Sequence, residues 1–390
     1  MTGHVPFVNT QDDCQFLKKY YSDSTIVRVS LEKLDSIMAS LPRNLPLWID
    51  AGIDGYEHCL RKEQEPVPAY LRAFGEHEVL SSKDSIEKLD MERVRRFVNS
   101  VLNRCWQYRP SWITVPQLPM VDDNSRNRIN SALASSTYEW KLENQFRGKF
   151  ILPLIFTNQK QIQGKTKWRP KLDSALKWYM KAGADGVWVV DSSLSDQMGT
   201  ETFRKRFPAL IELHKYVRDK FKEGTIVIAG PYWGMNIILW VRRLCDYPAI
   251  CLGTAYQYHI SGGFKRRGRV KLAIPPLRRL AVASPELRRW LDNAIRSLNP
   301  KDKAYKELFN LRNNYNSLST SFASKGQITK FYKAWFDKIE QTPSLGRSLA
   351  LYQDLSSAYV LGKQLPTLPP SGGFARKPER VAESYMFNCL

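Results

Sequence analysis

Acidic residues are scarce in this chain relative to basic ones. Its 390 residues hold 38 Asp and Glu against 59 Lys and Arg, a formal net charge of +21 at pH 7. An excess of this size describes partners rather than fold, and nucleic acid is the commonest polyanion that such a surface meets. A solvated surface is the plainer alternative. An anionic membrane fits less well, because no basic amphipathic anchor is visible. No apolar run approaches the roughly 20 residues of a membrane span. Residues 1–9 hold no basic region followed by an apolar stretch, so no secretory leader is expected. The cysteines Cys14, Cys59, Cys105, Cys245, Cys251 and Cys389 stand at no metal-ligand or redox spacing. That scatter reads as reduced thiols in a cytoplasmic protein, with no metal and no cofactor expected. No Gly-rich phosphate fingerprint follows the first strand, which counts against a dinucleotide-binding open sheet.

What is present is alternation. Short β-branched and apolar runs at 25–29, 47–50, 112–115, 150–156, 186–190, 225–229 and 249–253 read as strands buried on both faces. Amphipathic stretches fall between them, clearest at 84–105, then at 124–144, 170–182, 201–222 and 233–244. Strand and helix repeating at this pace predict a parallel α/β fold. Seven strands plus an eighth near the start fit a (β/α)8 barrel, with a doubly wound sheet as the alternative. The barrel is expected over 1–283, carrying a basic hairpin at 254–275. A basic helical extension follows at 284–361, and a Pro- and Gly-rich tail at 362–390.

Two apolar runs end in a carboxylate. Leu47-Trp48-Ile49-Asp50 leads into Ala51-Gly52, and Val187-Trp188-Val189-Val190 leads into Asp191-Ser192-Ser193. Parallel α/β folds bind ligands at the carboxyl ends of their strands, so Asp50 and Asp191 are the candidate catalytic pair. A helix N-cap is the plain alternative for each. Asp54 could stand in for Asp50 in a tight turn. Gln117, Asn158 and Gln159 follow other strands and offer the donor and acceptor that the edge of a base needs. Gly230 opens the loop Gly230-Pro231-Tyr232-Trp233-Gly234, whose aromatics suit stacking. Tyr256 and His259 lie just past the last strand, as a stacking and a proton-carrying or phosphate-contacting candidate. Lys265, Arg266, Arg267, Arg269 and Lys271, extended by Arg278 and Arg279, form a basic run suited to phosphate contact without sequence readout.

The order of these strand-end motifs resembles the tRNA-guanine transglycosylase superfamily, including the paralogues that insert 7-deazaguanine bases into DNA. Asp50-Ala51-Gly52, Gln117, Asn158-Gln159, Asp191 and Ala229-Gly230 occupy comparable places across residues 25–275. So do Cys251-Leu252-Gly253-Thr254 and the run Ser261-Gly262-Gly263-Phe264-Lys265-Arg266-Arg267-Gly268. The resemblance implies exchange of guanine for a 7-deazaguanine base in DNA or tRNA, without a cofactor, and allows protein partners in a modification complex. One carboxylate would attack the sugar and a second would move protons on the bases, which leave their stack to react. The family's zinc-binding cysteine cluster is absent, which favours DNA over tRNA. Its nucleophilic Asp sits in the last strand, and here that strand reads Ala249-Ile250-Cys251-Leu252, the nearest acid being Asp246. Either Asp191 or Asp246 takes that role, or the barrel binds nucleic acid without turnover, or it acts on a small anionic substrate.

Overall fold

The computed structural model describes residues 3–24, 26–57, 67–81, 89–121, 124–157, 162, 168–192, 194, 201–232, 234–252, 269–370 and 375–389, with backbone only at 201–205. Eight parallel strands close into a barrel in chain order. They are β1 (Val5–Val8), β2 (Val27–Ser30), β3 (Leu47–Asp50), β4 (Trp112–Thr114), β5 (Lys149–Phe156), β6 (Gly186–Asp191), β7 (Ile226–Ala229) and β8 (Tyr247–Cys251). The last closes on the first through Val5 opposite Ala249 and Phe7 opposite Cys251. The expected eighth strand near the start is β1.

Helices follow the strands and cover the barrel: α1 (Gln11–Tyr20), α2 (Leu31–Ile37), α3 (Ala69–Arg72), α4 (Met91–Trp106), α5 (Asn124–Glu143), α6 (Arg169–Lys181), α7 (Glu201–Lys220) and α8 (Met235–Val241). Local sequence sets their starts. Thr10 caps α1 through its hydroxyl, which accepts from the Asp13 N–H, and the Asp13 carboxylate accepts from the Asn9 and Thr10 N–H groups. Asp90 caps α4 through the N–H groups of Glu92 and Arg93.

Both faces of the strands are apolar, so the barrel has two cores. Val27, Val29, Ile49, Ile113, Val187 and Val189 face the helices. Phe7, Trp48, Trp112, Trp188, Ile228 and Ala249 fill the lumen. Trp48 lies edge-on to Trp188 at 5.3 Å and to Phe7 at 5.6 Å. The indole nitrogens are satisfied, Trp48 donating to Thr114 Oγ1 at 2.9 Å and Trp188 to the Gly230 carbonyl at 2.7 Å. The lumen is therefore a solid aromatic plug.

Beyond the barrel, β9 (Lys271–Ile274) pairs antiparallel with β10 (Arg279–Val282) through a turn at Pro275–Leu277. The hairpin expected over 254–275 has its upstream arm outside the described residues, and β9 finds its partner downstream. This hairpin shares a separate core with α9 (Pro285–Arg296) and α10 (Lys303–Asn313), built on Leu272, Ile274, Trp290, Leu291, Leu308 and Leu311. A short helix, α11 (Tyr315–Leu318), leads into α12 (Ser321–Glu340), and α13 (Arg347–Gln364) and α14 (Arg380–Met386) follow. These last three return to the barrel core through Ile328, Trp335, Leu351 and Val381. Within the segment expected as a Pro- and Gly-rich tail, α13 runs on to Gln364 and α14 spans Arg380–Met386. No described helix is long and apolar enough to cross a membrane.

Candidate functional site

Side chains at the carboxyl ends of β2, β3 and β4 gather buried charge. Asp50 stands two residues after Trp48 on the same strand, and alternation turns its side chain to the lumen with Trp48. Arg28 of β2 lies across from Trp48 in register and donates to Asp50 Oδ2. Its guanidinium rests 4.8 Å from the centre of the Phe7 ring and 5.7 Å from that of Trp188. The ion pair therefore caps the aromatic plug. Asp50 Oδ1 accepts from the Gly52 N–H at 3.2 Å, and Gly52 takes a left-handed φ of 69° that bends the chain back over its own strand.

A second buried pair stands in the same sector. Glu57, in the turn beyond β3, accepts from Arg126 Nη1 at 2.6 Å, where Arg126 belongs to the first turn of α5 beyond β4. Gln117 lies between these elements at 2% exposure, giving its Nε2 hydrogen to the Asn130 carbonyl at 2.8 Å. Its Oε1 and the Arg126 Nε are buried without a hydrogen-bond partner among the described residues. Asp54 is buried in the same turn as Glu57. Burying ion pairs costs desolvation that their attraction often fails to repay, so these pairs are weak evidence of a stability device.

Asp191 behaves differently. It stands three residues after Trp188, and its neighbours Val187 and Val189 face the helices while Trp188 and Val190 face the lumen. Its carboxylate accepts from Arg206 of α7, with Nε at 2.7 Å. Its N–H donates to Tyr232 Oη at 3.1 Å, and that hydroxyl donates to the Val189 carbonyl at 2.9 Å. Burial, with the Asp191 charge beside it, holds the Tyr232 phenol far above its ordinary pKa, so it stays protonated. Alternation turns the two acids to opposite faces of the barrel wall. Asp246, the other candidate for the missing strand-end acid, precedes β8, accepts from the Val227 N–H at 2.7 Å and pairs with Arg218 of α7. The inward positions of β8 carry Tyr247, Ala249 and Cys251.

The remaining sequence candidates separate. Gly230 takes φ 86°, and a Cβ there would meet the Tyr232 nitrogen at 2.8 Å, so the residue is required by the turn itself. Arg279 must be withdrawn from the phosphate-binding set. It is 1% exposed and donates to the carbonyls of Ala375 at 2.7 Å and Lys377 at 3.0 Å, which pins the tail onto the hairpin. Arg278 is likewise engaged, forked onto Asp354 at 2.6 and 2.7 Å with its guanidinium 5.6 Å from the Trp335 ring centre. Arg269 is exposed and Lys271 half-buried. Asn158, Gln159, Tyr256, His259, Lys265, Arg266 and Arg267 lie outside the described residues. No group of three or more potential metal ligands occurs among the described residues.

Arg28, Arg206, Glu57 and Arg126 were not among the residues that the sequence singles out. A signal existed for Arg28, since one cation inside Val27-Arg28-Val29 has no place in a doubly buried strand without an anionic partner. A cleft of about 600 Å³ lies between α2, α3 and α4, where Arg104 and Tyr108 both bond Asp35, and Tyr70 of its lining donates to the Gly52 carbonyl at 2.6 Å.

No family model matches the chain, and no curated protein matches it. Among solved structures it is similar to a probable tagatose 6 phosphate kinase from Sinorhizobium meliloti 1021, at 10% identity and a TM-score of 0.32 over 99% of each chain. A likeness this weak carries no argument about activity.

Proposed function

We propose that the chain is a nucleic-acid base-exchange barrel acting on guanine and 7-deazaguanine bases, with Asp50 as the carboxylate that meets the base. The observation that carries this reading is the Arg28–Asp50 pair, turned inward at the carboxyl end of β3 above a closed aromatic floor. That is where (β/α)8 enzymes assemble their chemistry. Arg28 orients the carboxylate, which can accept from the N–H edge of an extruded base or carry a proton between leaving and incoming bases. Gln117, whose buried Oε1 has no hydrogen-bond partner among the described residues, adds an acceptor near that strand end. The net charge of +21 supports an anionic polymer as substrate.

The covalent form of the reaction needs a second carboxylate as nucleophile. Asp191 is turned away from the lumen, and the nearest acid to Asp50 along the chain is Asp54, buried in the turn that closes β3. Asp54 replaces Asp191 as the candidate partner.

One observation favours a second reading, a nucleic-acid-binding barrel without turnover. The strand that carries the nucleophile in the resembling family has no acid on either face here. Exchange of labelled guanine and 7-deazaguanine into DNA and into tRNA separates the two. Asp50→Asn keeps an oxygen acceptor for Arg28 and removes the charge, and should lower exchange by about 10²-fold or more, the usual worth of a positioned proton carrier. Exchange that is undiminished in Asp50→Asn removes Asp50 from the mechanism. Salt-sensitive binding with no exchange of any base by the wild-type chain selects the second reading.

A further inference from the structure

The geometry points to a docking surface for unpaired nucleotides on the outer face of α10, centred on the stacked rings of Tyr305 and Phe309, distinct from the barrel mouth. The inference rests on the nucleic-acid reading given above and extends it to a part of the chain which that reading did not use.

Helical spacing divides α10 sharply. Leu308 and Leu311 are buried in the core shared with α9 and the β9–β10 hairpin. Tyr305 and Phe309, four residues apart, lie on a different face and stack on each other with ring centres 5.7 Å apart and planes within 9°. Phe309 is 45% exposed. An aromatic pair at helical spacing is usually core, but here leucines fill the core and the rings are left outside it. Two parallel rings, one of them nearly half open to solvent, form a platform that can continue with a third flat ring.

The surroundings supply charge of the matching sign. Lys301, Lys303 and Lys306 are exposed at the start of the helix and along it. Lys303 lies 3.8 Å from Glu307, while Lys306 makes no ion pair among the described residues. Arg312, one turn beyond Phe309, is held to Asp292 of α9 at 2.6 Å and steadies the end of the platform. Residues 269–370 carry 17 Lys and Arg against 7 Asp and Glu, so the platform sits in a basic field. Stacked aromatics among lysines bind single strands with little sequence preference, because every base has a flat face and every nucleotide a phosphate. A duplex hides those faces and gains only the charge term. The chemistry therefore commits to a single-stranded segment, such as the flank of an opened or looped site.

The test is fluorescence anisotropy of the full chain with a labelled oligothymidylate and with a duplex of equal length, at fixed salt. Tyr305→Ala/Phe309→Ala should weaken single-strand binding by about tenfold or more and change duplex binding by less than about twofold. Phe309→Trp should keep or tighten single-strand binding, which guards against a fold defect in the double variant. Lys306→Ala should lower the salt slope for the single strand by about one. If the wild-type chain binds oligothymidylate and the double variant binds it equally well, the platform is overturned while the nucleic-acid reading stands. If polyglutamate displaces the oligonucleotide equally from wild type and double variant, the contact is charge alone and the inference fails. If the wild-type chain binds no nucleic acid, both fall together.

Discussion

At the scale of single residues, the two strand-end aspartates show how much one step along a strand decides. Asp50 follows its tryptophan by two positions and Asp191 follows its own by three. Trp48 and Trp188 meet in the same lumen, so one acid turns in and the other turns out. Alternation could not reveal this from the sequence, because both faces of these strands are apolar. Only the offset from a shared inward tryptophan distinguishes them. The outward acid is structural in consequence. Asp191 and Arg206 are fully buried partners, so Arg206→Leu should destabilise the fold by about 3–5 kcal/mol by removing the cation that faces a buried carboxylate. Asp191→Leu/Arg206→Leu should recover most of that loss, since the stranded charge is then gone. Urea midpoints of the two variants check this, and equal losses would mean that the arginine acts through packing alone.

At the scale of elements, the barrel strands were legible because continuous β-branched runs between amphipathic stretches admit few other folds. The C-terminal part was less so. Its helices divide between two cores, and nothing in a list of amphipathic segments says which core each will join. Residues such as Arg278 and Arg279 look like a phosphate-binding run when read in line, yet the hairpin turns them inward onto Asp354 and the tail carbonyls. A charged run names a solvated face only when the element carrying it stays on the surface. Gly362 makes the same point from the opposite side. It reads as a helix breaker, but it lies within α13, where a Cβ would meet the Glu379 nitrogen at 2.6 Å and its Cα at 2.7 Å. The contact is backbone on backbone, so nothing flexible can yield. Gly362→Ala should therefore cost about 1–3 kcal/mol by pushing α14 away, despite the better helix propensity of alanine. A raised thermal midpoint in that variant would show that α14 is not held at that distance.

At the scale of the whole molecule, two neutral histidines are buried against rings of the helix-facing core. His4, just before β1, is fully buried between Tyr21 and Phe336, and neither ring nitrogen has a hydrogen-bond partner among the described residues. His214 of α7 is equally buried, edge-on to Tyr232, and its ring nitrogens also have no hydrogen-bond partner among the described residues. Burial first, and then Lys333 for His4 or Arg218 for His214, lowers each pKa from 6.5 to about 3. Below pH 6.5 the unfolded chain takes up a proton at each site that the folded chain refuses. Stability is therefore full above that pH and falls as pH drops from about 6.5 toward 3, by ~1.4 kcal/mol per pH unit for each group. Asp13 opposes this over part of the range. Burial raises its carboxyl from 3.8 to about 6 against its hydrogen bonds, so the folded state holds a proton there between those values. Two groups against one leave a net loss near pH 5, of about 1.4 kcal/mol per unit. His4→Phe/His214→Phe removes both proton sites without removing a hydrogen bond. Between pH 7 and 4.5 its urea midpoint should then hold steady or rise slightly as pH falls, while that of the wild type declines. Parallel declines would place the acid sensitivity in the surface carboxylates, and the two buried rings would then carry no part of it.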